Sequence, residues 1–208
     1  MQQIRDLLQN RQVGILDDLN NKRSAVMLPL IEHQGQLCIV FEVRSHQLRK
    51  QPGEICFPGG RIEAKDENPR ATAIRETSEE LGIEPANIVV LGDLDVLVTP
   101  FHLFLYSVVG YIDKDAILKP QQEEVAEVFF VPLDYLLKTE PTISSTKVQV
   151  SPIEDFPIHL LPNGKDYNWQ NGSYPVYFYS YDKYIIWGLT ARILYHFLQI
   201  IKGATSNE

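Results

Sequence analysis

Apolar runs rich in β-branched and aromatic residues recur along this chain, and a helical pattern replaces them in only three places. "SAVMLPLIE" (24–32) and "QLCIVFEVR" (36–44) read as strands joined by a polar His33-Gln34-Gly35 turn, the pattern of a hairpin. "NIVVLGDLDVLVT" (87–99), "HLFLYSVVGYI" (102–112) and "VAEVFFVPL" (125–133) read as further strands, as do "TKVQV" (146–150) and "YPVYFYSY" (174–181). Helices are expected at 3–12, from Pro69 to Leu81 and at 185–201. The middle one is the best punctuated: Asn68 can cap it, Pro69 suits its first position and Gly82 can end it. Strands interrupted by helices without strict alternation predict a mixed sheet with packed helices, α/β or α+β in type.

Composition narrows the function classes. The 208 residues suit a single domain over 1–208, and a 44% hydrophobic content is enough to build a core. A net charge of −8 argues against nucleic acid and anionic membranes as partners. The apolar stretch 184–201 is short and contains Arg192 and His196, which points to a buried helix and not a membrane span. No secretory leader pattern opens the chain, and Cys38 and Cys56 read as reduced buried thiols, so a cytoplasmic location is expected. The tail "KGATSNE" is expected to be unstructured.

Charge is unevenly distributed. Seven Lys or Arg and four acids fall between Arg44 and Arg75, whereas no Lys or Arg occurs from Glu76 to Asp113. On a helix of 3.6 residues per turn, Glu79 and Glu80 fall within about 60° either side of Glu76. Ala71, Ile74, Ser78 and Leu81 fall opposite, which predicts a core stripe and an outward acidic face. Clustered carboxylates suit a hard cation such as Mg²⁺ or Mn²⁺. Gly59-Gly60 offers a turn that can approach phosphate closely, and Arg75 can orient a carboxylate through paired hydrogen bonds.

These residues resemble the Nudix hydrolases, whose box reads G-x5-E-x7-R-E-U-x-E-E-x-G-U, with U aliphatic. The stretch 59–83 contains it: Arg75-Glu76-Thr77-Ser78-Glu79-Glu80-Leu81-Gly82-Ile83 matches the second half, with Thr77 at an aliphatic position. One residue is inserted upstream, so either Asp66 or Glu67 fills the early acid position. Ahead of the box, Arg44-Ser45, Arg49, Gly53 and Phe57-Pro58-Gly59-Gly60 match R-[SA]-x3-R-x3-G-x3-F-P-G-G, which is similar to the coenzyme A pyrophosphatase subgroup. The segments "EEVAEVFFVPLDYLL" and "IWGLTARIL" also look like that subgroup.

The resemblance implies a Nudix-type α/β/α sandwich that hydrolyses a pyrophosphate in coenzyme A or acyl-CoA, as a monomer or homodimer. It implies Glu76 and Glu80 as ligands of Mg²⁺ or Mn²⁺, Glu79 as the acid that activates water, and Glu124 as a further ligand or the base. Arg44 and Arg49, with Gly59 and Gly60, would bind substrate, and Arg75 would orient a ligand. Two rival readings are another nucleoside diphosphate substrate, such as ADP-ribose, and a non-catalytic nucleotide sensor.

Overall fold

The computed structural model describes residues 1–9, 11 and 22–205. Strands β1 (Lys22–His33) and β2 (Gln36–Arg44) form the expected hairpin, paired from Leu30↔Ile39 to His33↔Gln36. Gln34 and Gly35 at its tip have φ of 52° and 76°. That left-handed pair matches the twist of the flanking strands.

The main sheet has eight strands. The others are β3 (Ile55–Cys56), β4 (Gly59–Arg61), β5 (Ile88–Asp93), β6 (Leu97–Thr99), β7 (Leu103–Ile112) and β8 (Val125–Pro132). Its central order is β3-β2-β1-β7-β5, with β4 added to β1, β6 to β7 and β8 to β2. β1 and β7 run parallel, while the remaining pairs are antiparallel, so the sheet is mixed.

Burial on both faces explains why β1 reads as a nearly unbroken apolar run. One face carries Ala25, Met27 and Ile31, with Val40, Val108 and Ile112, against Ala73 and Leu81 of α2 (Pro69–Leu81). The other carries Leu28, Leu30, Phe41, Leu105 and Val131 against Ala191, Leu194 and Leu198 of α4 (Gly188–Thr205). Helix, sheet and helix thus form the expected sandwich. A second sheet of β9 (Thr142–Gln149), β10 (Asn171–Tyr181) and β11 (Tyr184–Trp187) packs on α4, with the Tyr177 and Tyr195 rings 4.8 Å apart. The short α3 (Leu133–Lys138) follows β8 directly.

Several boundaries differ from the sequence reading: the expected strand 87–99 is split into β5 and β6, and β9 and β10 begin earlier than expected. Residues 185–187, expected to start the last helix, are strand, because the β-branched and aromatic residues of β11 pair with β10 before Gly188, at φ 67°, turns the chain. α4 also runs on to Thr205, so part of the tail expected to be unstructured is helical, and residues 206–208 lie outside the described residues. The first helix, α1, spans Gln2–Gln9; of the rest of the expected 3–12 segment only Arg11 is among the described residues.

The buried stripe of α2 also departs from expectation. Thr72, Ala73, Thr77, Glu80 and Leu81 are buried, whereas Ala71, Ile74 and Ser78 are only half-buried. Small and hydroxyl side chains let the helix come close to β1 and β4, so proximity and not hydrophobicity sets the inward face. Thr77 fits an aliphatic slot because its hydroxyl donates to the Ala73 carbonyl at 2.6 Å. The caps form as expected: Asn68 Oδ1 accepts from Ala71 N at 3.0 Å, and Gly82 adopts φ 63°.

Candidate active site

The site is built where β4 meets α2. Gly59 to Arg61 pair with Val26 to Ser24 of β1, which brings the glycine turn up against the helix. A Cβ at Gly59 would lie 2.6 Å from Val26 Cα, and one at Gly60 would lie 2.7 Å from Glu76 Oε2. Both glycines therefore serve close approach. The Gly59 N–H donates to Glu80 Oε2 at 2.8 Å, tying the turn to the helix.

Arg75 organises the outer edge. Its Nε and Nη2 donate to Asp66 Oδ1 and Oδ2 at 3.0 and 2.9 Å, and its Nη1 donates to Glu76 Oε1 at 2.8 Å and Glu79 Oε2 at 3.3 Å. Asp66 also accepts from Thr72 Oγ1 and the Glu63 N–H, each at 2.9 Å. Asp66 thus takes the early acidic position, while Glu67 is exposed. Arg75, foremost, together with these other donors holds the Asp66 carboxyl well below the usual carboxylate range.

Behind this edge the carboxylates crowd. Glu80 is 3% exposed; burial, then the neighbouring Glu42, Glu76 and Glu124, push its carboxyl up to about 9 against the opposing Gly59 bond. Glu42, on β2, is 1% exposed, and burial with the charges of Glu124 and Glu76 pushes it up to about 7. Glu76 is raised by burial even beside Arg75. Glu42 Oε1 accepts from the Cys56 thiol at 3.1 Å, but its Oε2 is buried without a partner. Hard oxygen donors, too few cations and an orphaned carboxylate oxygen fit a divalent metal ion. Among the described residues no three of these groups already surround one point, so they form neighbouring donors and not a closed cage.

The other sequence candidates divide. Glu79 sits at the exposed rim, held by Arg75. Glu124 is exposed at the start of β8, beside a bulge where Val43 pairs with Glu127 but Arg44 with Val125. Its carbonyl accepts from Ser45 N at 2.7 Å, which fixes it over the end of β2. Arg44 is half-buried, and its Nε has no hydrogen-bond partner. With Gln51, Glu54, Cys56 and Gly59, it lines a cavity of about 440 Å³. The rest of that wall is largely apolar, with Phe57, Phe101, Leu105, Val176, Trp187 and Leu189 among its residues. Arg49 is exposed on the loop and does not line this cavity.

Two features escaped the sequence reading. Glu42 looked like an ordinary polar strand residue, and its only signal was its isolation within "CIVFEV". The cavity draws on segments more than a hundred residues apart, from Val26 to Ile193, which no local pattern joins.

Comparison with known proteins agrees with this geometry. A profile described as the NUDIX domain matches residues 21–150. The chain is 39% identical over 150 residues to "Peroxisomal coenzyme A diphosphatase NUDT7" of Mus musculus, covering 69% of this chain and 60% of that protein, and so spans less than two thirds of its length. It is 33% identical over 183 residues to "Uncharacterized Nudix hydrolase NudL" of Photorhabdus laumondii, covering 88% and 87%. The crystal structure of a MutT/nudix family protein from Enterococcus faecalis superposes with a TM-score of 0.52 at 14% identity, over 97% of this chain and 70% of that one, and shares the fold. With the glycine turn, the glutamate helix and its arginine clasp all placed together, the chain belongs to the Nudix hydrolase family.

Proposed function

We propose that the protein hydrolyses the pyrophosphate bond of coenzyme A or an acyl-CoA, releasing 3′,5′-ADP and the (acyl-)4′-phosphopantetheine. The observation that carries this reading is the path of residues 44–60. They bring Arg44 and the Gly59 turn into the wall of a mainly apolar cavity, with Gly59 bonded to Glu80 of the acidic cluster. A diphosphate at the turn would leave an extended arm facing Phe57, Leu105, Val176 and Trp187. The likeness to a coenzyme A diphosphatase supports the same substrate class.

Glu76 and Glu80 would hold Mg²⁺ or Mn²⁺, with Glu42 Oε2 as the nearby unclaimed donor. When bound, the ion supplies Lewis acidity toward the diphosphate oxygens. Arg75 keeps Glu76 oriented, and Asp66 keeps Arg75 in place. Arg44 offers a planar fork to a phosphate, while exposed Arg49 would meet substrate outside the cavity, where a further phosphate extends. Glu124 is the acid better placed to take the proton of the attacking water. Glu79 is clasped by Arg75, whereas Glu124 is exposed and pairs with no cation among the described residues.

The test is turnover of coenzyme A, acetyl-CoA, longer acyl-CoAs, ADP-ribose and NADH with Mg²⁺ or Mn²⁺, using Glu80→Gln as the inactive control. 3′,5′-ADP formed from the CoA compounds alone supports the assignment. Preference for ADP-ribose removes the substrate reading and leaves the site chemistry. Binding without turnover of any compound makes the protein a sensor.

A further inference from the structure

Among the buried polar atoms that have no hydrogen-bond partner are Ser107 Oγ, Arg192 Nη1 and His196 Nε2, all outside the acidic cluster. Their side chains line one cavity of about 250 Å³ between β7, the Leu94–Leu97 segment and α4. Arg192 and His196 are four residues apart on α4 and so lie on one face. Ser107 reaches the cavity from β7.

Donors outnumber acceptors in this cavity, whose lining carries a single carboxylate, Asp95. Arg192 lies over the Tyr174 ring, 4.9 Å from its centre, and pairs with no carboxylate among the described residues. Asp95, 90% exposed, brings Oδ2 within 3.1 Å of His196 Nε2 but out of line for a hydrogen bond. A buried donor without an acceptor is costly, and a guanidinium fork matches an oxyanion better than it matches a neutral acceptor. Leu94, Val96, Leu97 and Ile193 supply apolar walls that could cover a short organic body.

We propose that this cavity binds a small oxyanion, a carboxylate or phosphate group, with Arg192 as the countercharge and Ser107 and His196 beside it. The site uses none of the acidic cluster, so it stands or falls independently of the hydrolysis proposed above.

The test uses full-length ¹⁵N-labelled protein stripped of metal on a chelating resin, titrated separately with inorganic phosphate, acetate and chloride. A saturable shift of the Arg192 Nε–Hε and His196 ring resonances is expected with phosphate or acetate and not with chloride. Whichever anion saturates identifies the source. Ser107→Ala should weaken binding several-fold, and Arg192→Lys, which keeps the charge but loses the fork, by roughly tenfold. Glu80→Gln should bind as the parent does. Shifts reproduced by chloride would overturn the site and leave water as the partner of these groups. Phosphate shifts lost in Glu80→Gln and kept in Arg192→Lys would overturn it too, placing the anion at the acidic cluster.

Discussion

Arg75 grips Asp66 through two hydrogen bonds, Nε to Oδ1 at 3.0 Å and Nη2 to Oδ2 at 2.9 Å, and with its remaining nitrogen holds Glu76 at 2.8 Å. The glutamate is therefore oriented by an arginine that is itself oriented by an aspartate. Asp66→Asn keeps the shape but loses the charge and one acceptor. Turnover should fall about tenfold to a hundredfold, as for other losses of outer ligand support.

The same pair fixes a sign for pH. Asp66 titrates below its unfolded value, so its contribution to stability is full above that value and is lost as pH falls through the lower, folded one. Denaturant unfolding of the parent should thus weaken on acidification more steeply than that of Asp66→Asn. Equal slopes would show that the clasp contributes nothing to folding.

Gly59 and Gly60 should fail differently. A Cβ at Gly59 would meet β1 backbone, which cannot move without disturbing the sheet. Gly59→Ala should cost about 1–3 kcal/mol of stability. At Gly60 the obstacle is the carboxylate end of Glu76, which can swing away. Gly60→Ala should keep nearly the parent melting temperature while losing on the order of a hundredfold in kcat through a misplaced ligand. Thermal melts and steady-state kinetics on the two variants check the contrast.

Local signals in the sequence carried far. The 33–35 turn, the Asn68 cap and the Gly82 stop are each set by the chemistry of one or two residues, and each formed as expected. Motif spacing likewise placed Gly59, Arg75, Glu76 and Glu80 at one junction. What failed was long-range. A helical wheel scored by hydrophobicity put the core beneath Ala71, Ile74, Ser78 and Leu81, and only Leu81 is fully buried, because the wheel could not know that β4 would bond to Glu80 or that Thr77 would turn inward. Whether Asp66 or Glu67 meets Arg75 depends on the path of an inserted loop, and spacing alone left it open. Glu42 was hidden by the apolar strand that buries it.

Glu42 gives the sharpest separation of stability from function. Its buried Oε2 has no partner, and its neighbours include Glu76, Glu80 and Glu124. Glu42→Gln removes a charge from a cramped, dry place, so metal-free protein should be at least as stable as the parent. If the unclaimed oxygen serves the ion, Mn²⁺ affinity should nevertheless drop by about tenfold or more. Mn²⁺ titration by electron paramagnetic resonance, with melts of the metal-free forms, reads both. Unchanged affinity would confine Glu42 to its bond with Cys56.

Glu124 and Glu79 can be told apart by what each variant leaves intact. Glu79 is bound to Arg75 Nη1, which also holds Glu76, so Glu79→Gln weakens one contact and leaves Asp66 and Glu76 to hold the guanidinium. Its cost in kcat should be small, under about tenfold, the range of one weak exposed pair. Glu124 is exposed just ahead of β8, with its backbone fixed by Ser45. As proton acceptor, its loss in Glu124→Gln should lower kcat by about a hundredfold to ten-thousandfold, while KM stays near the parent value. If Glu79→Gln shows the larger loss in kcat at an unchanged KM, the water lies on the outer edge of α2, and the base is the helix glutamate.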